Sequence, residues 1–203
     1  MTIEVVLATH NQHKVQEFQR ILGAAMPEVT VLAYDGPEPV EDGVTFSENA
    51  LIKARAAAAH TGRIAMADDS GISVDVLGGA PGIFSARWAG PGRKDRDNLE
   101  LLLAQLADMA PEHRGASFSC HIALVVPEGH PRAGFEHVSV GVWPGSLATE
   151  PSGTNGFGYD PIFVPEGHNV SAAELSPETK NEISHRALAF VDLIPTLRSV
   201  ATA

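Results

Sequence analysis

The sequence predicts an α/β fold: a single domain over residues 1–203, built on an extended mixed β-sheet flanked by helices, with a central substrate cleft. Three observations lead there. Strand-like apolar runs alternate with helical patterns at both ends of the chain, two strand candidates at Ala116 to Val126 and Phe135 to Val142 form a long hairpin between them, and no linker-like segment divides the chain.

Composition narrows the function. Hydrophobic residues make up 44% and charged residues 19%, as in an ordinary globular protein. Lys and Arg number 14 against 25 Asp and Glu, and the resulting net charge of -11 argues against backbone-directed nucleic-acid binding. A polyanionic partner would need a local basic pocket. Cys120 is the single cysteine, so no intrachain disulfide forms and a reducing cytoplasm fits. The apolar run from Ile3 to Leu7 is too short for a signal peptide, and no run reaches membrane-spanning length. The nine histidines lack the spacing of a zinc site.

The first strand ends at Thr9-His10-Asn11-Gln12-His13-Lys14, and Val15, Phe18, Ile21 and Leu22 continue at helical spacing, with Gly23 and Pro27 as stop. A strand leading into a helix N-terminus offers backbone N–H groups and Lys14 to phosphate oxygens, although P-loop spacing is absent. Val29 to Leu32 is a second strand. The acidic loop from Asp35 to Gly43 brings Glu38, Glu41 and Asp42 as solvated residues or as one metal-holding carboxylate. Thr45 and Glu48 have capping-box spacing before an alanine-rich helix, on which Asn49 and Lys53 share a face.

Ala67-Asp68-Asp69-Ser70-Gly71 then stops an apolar run at two adjacent carboxylates. Neighbouring carboxylates repel, so the segment reads either as a solvated turn or as a metal site interrupting a buried hairpin or bent strand. Gly78 to Gly82 is a turn, and Leu99, Leu102, Leu103 and Leu106 mark an amphipathic helix without evident chemistry. In Gly156-Phe157-Gly158-Tyr159-Asp160 the glycines let backbone reach a flat ligand while an aromatic stacks on it, or they form a structural bulge. Ser176 and Pro177 open another helix. Lys180 and Arg186 do not share a face of one straight helix, so meeting one ligand requires a break near Asn181 to Ile183, with Ser184 capping a last helix that Pro195 interrupts.

In this order the motifs resemble the inosine triphosphate pyrophosphatases, enzymes of noncanonical purine nucleoside triphosphates. The likeness rests on Thr9-His10-Asn11 through Lys14, Thr45-Phe46 with Glu48-Asn49-Ala50, Asp68-Asp69-Ser70-Gly71, Gly78-Gly79-Ala80-Pro81-Gly82, Gly156 to Pro161, and Lys180 with Ser184-His185-Arg186. It spans nearly the whole chain. At two positions the sequence departs: His10 stands where the family often has glycine, and Val40 stands at the family's acidic loop position, leaving Glu41 nearest and Glu38 next.

The resemblance implies a Mg2+-dependent, homodimeric hydrolase converting ITP, dITP or XTP to the monophosphate and pyrophosphate. By carry-over, Asp69 is catalytic base and metal ligand, Glu41 and Asp68 support the metal, and Ser70 touches substrate. Thr9, His10, Asn11, Gln12, His13 and Lys14 would hold phosphates. Phe157, Gly158, Tyr159 and Asp160 would hold the base, with Lys180, His185 and Arg186 completing the pocket. The chemistry agrees, since attack on a polyanionic anhydride needs a cation and a base, and donors such as His185 and Arg186 would favour a 6-oxo purine over adenine. Two other readings stand beside it: a Maf-like pyrophosphatase on other nucleotides, and a non-catalytic nucleotide-binding protein.

Overall fold

Residues 2–92 and 94–201 are described by the computed structural model. The elements run β1 (Ile3–Leu7), α1 (Gln12–Ala25), β2 (Val29–Ala33), α2 (Phe46–Thr61), β3 (Ile64–Val74), α3 (Asp95–Gln105), β4 (Gly115–Val125), β5 (Glu136–Leu147), β6 (Phe163–Pro165), α4 (Pro177–Ile183) and α5 (His185–Ala201). One six-stranded sheet has the order β2-β1-β3-β4-β5-β6. It is mixed, as the sequence predicts: β1 pairs in parallel with both β2 and β3, while β5 and β6 are antiparallel.

The chain divides into two compact units. The first comprises the described residues up to Asp69, His121–Val140, and the end of α5 from Ala189. Its two βα connections need crossovers, which α1 and α2 provide. Asn11 caps α1 by accepting the N–H groups of His13 and Lys14. The α1 helix passes through Gly23 and ends at Ala25, before Pro27, within the stop that the sequence predicts; burial of Val15, Phe18 and Leu22 outweighs a glycine cost of about 1 kcal/mol. The α2 capping box forms as expected, with Thr45 and Glu48 satisfying each other's backbone N–H. Ala50, Ala54, Ala57 and Ala58 on α2 pack with Ala65 and Ala67 of β3, small side chains on both sides that let helix and strand approach closely.

The second unit contains Ser70–Cys120 and Gly141–Leu188. Its core gathers Ile72, Leu102, Phe118, Trp143, Ile162 and Phe163. Arg114 is fully buried and donates to the carbonyls of Leu106, Leu147 and Ala148 at 2.7, 2.9 and 2.9 Å. At the C-terminal end of this unit the predicted helix break occurs, at Ser184 with φ -69° and ψ 162°. Pro195 does not interrupt α5, which continues to Ala201. Val191, four residues earlier, is 71% exposed, so the carbonyl that Pro195 leaves without a helical donor lies on a solvated turn.

The largest departure concerns β3. It runs unbroken from Ile64 to Val74, so Asp68-Asp69-Ser70-Gly71 is neither a turn nor a hairpin bend. Alternation resolves the repulsion that suggested one: Asp68 follows Ile64 and Met66 on one face, and Asp69 follows Ala65 and Ala67 on the other.

Candidate functional site

Register places the first group of site residues. Leu7 of β1 lies opposite Met66 of β3, and the Ala8 N–H donates to the Met66 carbonyl at 2.8 Å, so the chain leaves β1 beside the carboxylates of β3. In parallel sheets this C-terminal edge is where ligands meet strand ends and helix N-termini. Lys14, in the first turn of α1, extends its ammonium to both oxygens of Asp68 at 2.9 and 3.0 Å. Asp68 is 5% exposed, and pairing with a cation is how a carboxylate is kept charged at such burial.

The other face of β3 carries a second charge group. Lys53 Nζ lies 3.3 Å from Glu41 and 3.6 Å from Asp69 Oδ1. Burial raises the Asp69 carboxyl above the usual aspartate range; Lys53 and a hydrogen bond from Asn49 oppose this, while Glu41 and Asp68 reinforce it. The Asn49 side-chain carbonyl accepts the Gly43 N–H at 2.9 Å, which fixes the amide and ties the acidic loop to α2. A Cβ at residue 43 would come within 2.7 Å of that oxygen. Asp69 Oδ2 is buried and has no hydrogen-bond partner among the described residues.

Glu41 and Asp69 are hard oxygen donors of the kind a divalent cation takes, but here the Lys53 ammonium lies between them, and among the described residues no group of three or more metal-ligating side chains comes together. Of the acidic-loop candidates, Glu41 is the one at Lys53. Glu38 instead meets His10 Nδ1 at 3.4 Å, while His10 Nε2 bonds the Gly36 carbonyl at 3.0 Å. His10, expected at phosphate, thus tethers the acidic loop. Asp68, expected beside the metal, spends both oxygens on Lys14. Thr9 Oγ1 accepts the Asn11 N–H, and Gln12 and His13 lie exposed at the start of α1. Lys53, which the sequence marks only as sharing a face with Asn49, proves to be the hub; its spacing gave the face but not the partners.

The second unit holds the other group. Asp160 Oδ2 accepts the Phe157 N–H at 2.7 Å and the Lys180 ammonium at 2.5 Å. Gly156 has φ +74°, and a Cβ there would strike Asp160 Oδ2 at 2.1 Å. Phe157 is 65% exposed, with Lys180 Nζ 5.5 Å from its ring centre. Tyr159 is buried instead, its hydroxyl donating to the Ser85 carbonyl, and burial followed by the charge of Asp95 raises its pKa. The exposed ring able to stack on a ligand is therefore Phe157. His185 and Arg186 are buried in the first turn of α5, where His185 stacks on Phe118 at 5.0 Å and 13°. Ser70, the residue after Asp69, is half-buried.

Residues 5–196 match the model of the Ham1 family. The chain belongs to the Ham1 family. This Ham1 chain is 59% identical over 199 residues to the dITP/XTP pyrophosphatase of Leifsonia xyli subsp. xyli, with 98% of each chain covered. It is 53% identical over 200 residues to the dITP/XTP pyrophosphatase of Streptomyces avermitilis, covering 97% of this chain and 98% of the relative. The structure of a HAM1 protein from Coxiella burnetii superposes with TM-score 0.88 at 43% identity, covering 98% and 100% of the two chains. The family resemblance read from the motifs therefore holds, and so does the α/β mixed-sheet fold. Among the described residues, no helix of this Ham1 chain is long and apolar enough to cross a membrane.

Proposed function

We propose that this Ham1 protein is a nucleoside triphosphate pyrophosphatase that hydrolyses ITP, dITP and XTP to the monophosphate and pyrophosphate. The observation that carries the reading is the convergence of Glu41 and Asp69 on Lys53, one residue along β3 from the Lys14–Asp68 pair. Glu41 and Asp69 would hold Mg2+, which when bound neutralises charge on the phosphate oxygens. Magnesium keeps several waters and takes substrate oxygens, so two protein carboxylates suffice as its anchor.

Asp69 accepts the proton of the attacking water through its buried oxygen, which has no other hydrogen-bond partner among the described residues. Lys14, held by Asp68, and Lys53 face the anionic end of the substrate, as does the α1 N-terminus with Thr9 to His13. Phe157 stacks on the purine, with Gly158, Tyr159, Asp160 and Lys180 shaping that loop. His185 and Arg186 donate to the 6-oxo group, which adenine would leave unmatched. Ser70 contacts substrate beside Asp69. The enzyme acts in the cytoplasm as a homodimer and as a single catalytic domain, with no nucleic-acid or membrane partner.

A panel of nucleoside triphosphates with Mg2+, scored for pyrophosphate and orthophosphate, tests this. ITP, dITP and XTP should release pyrophosphate far faster than ATP, dTTP or UTP do. Orthophosphate as product, or pyrimidine preference, would overturn it.

A further inference from the structure

Helix α3 supplies no group to the reaction just described, yet its first residue reaches the glycine loop. Asp95 Oδ2 accepts the N–H of Gly158 at 3.0 Å. The preceding amide, that of Phe157, is held by Asp160 Oδ2 at 2.7 Å. Two carboxylates from separate parts of the second unit thus hold consecutive N–H groups on either side of an aromatic ring that is 65% exposed. The ring itself has little packing to fix it, so its position follows from its backbone. Gly158 has φ +61°, a conformation that gains nothing from regular pairing and needs an outside acceptor for its N–H. Asp160 is buried and also engaged by Lys180, whereas Asp95 is exposed and free to release the loop.

We propose that Asp95 is a positioning residue that latches the Phe157 platform in place before the purine arrives. The inference rests on the reading of residues 157–160 as the base-binding loop. A platform ordered in advance loses less conformational freedom on binding, so the latch acts on affinity rather than on the chemical step. What Asp95 supplies is an acceptor for one N–H. Its negative charge is not required.

The test compares Asp95→Ala, Asp95→Asn and Phe157→Ala in ITP hydrolysis with Mg2+, resolving kcat from KM. Asp95→Ala should raise KM about 3- to 10-fold with kcat within twofold, the size of one lost hydrogen bond. Asp95→Asn should restore the parental KM, because its amide oxygen accepts the same N–H. Amide exchange at Gly158, read by NMR, should quicken in Asp95→Ala and not in Asp95→Asn, which separates latch loss from general weakening of α3. Equal impairment of both Asp95 variants, lowered KM in both, or unchanged KM and exchange in Asp95→Ala would each overturn the latch. If Phe157→Ala raises KM while Asp95→Ala does not, the latch alone fails; if Phe157→Ala leaves KM unchanged, the base-loop reading fails and the latch with it.

Discussion

The carboxylates of β3 and the glycine loop around Phe157 are both positioned by polar contacts, but by opposite means. On β3, side chains are aimed by strand alternation, and charges are balanced across helix and strand: Lys14 on Asp68, Lys53 on Glu41 and Asp69. In the loop, positive-φ glycines shape the backbone and side-chain acceptors hold it, Asp160 on Phe157 and Asp95 on Gly158. A group on a strand inherits rigidity from the sheet, which would suit the base proposed at Asp69. A loop held by a few polar contacts is easier to disturb, and its failures should appear in binding.

The sharpest way to break that contrast is Asp69→Asn. Loss of the base should lower kcat about 1,000-fold. The same change removes a negative charge that burial disfavours, so the thermal midpoint should hold or rise. A variant hydrolysing ITP as fast as its parent would remove Asp69 from the chemistry. Next in size is Arg114→Met, which tests a cation of purely structural use. Leaving two buried carbonyls and one part-buried carbonyl without their donor should cost about 3 kcal/mol in denaturant unfolding. Per folded molecule, kcat should be unchanged; a fall in kcat would blur the distinction between structural and functional cations.

Gly156→Ala attacks the loop directly. With φ at +74° and Asp160 in the way, the loop must shift, and kcat/KM for ITP should drop about 10- to 100-fold, chiefly through KM. The smallest effect belongs to a surface pair in the first unit. Arg55 grips Glu136 with two bonds of 2.7 and 2.6 Å, and the hydrogen bond to Arg55 holds the Glu136 carboxyl below the usual glutamate range. A depressed pKa contributes stability above the unfolded-state value and loses it as pH falls through the folded one. Glu136→Gln should therefore cost about 0.5 kcal/mol at neutral pH, with the difference from the parent vanishing in acid.

Legibility in the sequence followed the same division. Residues on regular elements could be read: Thr45 and Glu48 by capping spacing, the α2 face by its alanines, the break before His185 by the angular offset of Lys180 and Arg186. The turn reading of Asp68-Asp69 failed because local repulsion suggests a turn, whereas the partners that remove it lie elsewhere in the chain, at Lys14 on α1 and Lys53 on α2. Such long-range compensation leaves no periodic trace. Asp95 escaped notice for the same reason, since α3 displays only a leucine pattern and its one reaching carboxylate looks like ordinary first-turn charge. Gly23 and Pro195 show the reverse case, breakers overridden by tertiary burial and by a solvated helix face.

The unbroken course of β3 constrains how this chain can change length. Removing or adding one residue among Ile64 to Ala67 would exchange the faces of the two aspartates, turning the carboxylate paired with Lys14 toward α2 and the one beside Lys53 toward α1. Two residues would restore the faces while shifting both groups along the sheet by roughly 6 to 7 Å, beyond the reach of Lys14 and Lys53. The spacing between the start of this strand and its acids is therefore fixed in number as well as in parity, and laboratory libraries that allow single-codon insertions should find this short segment empty of survivors.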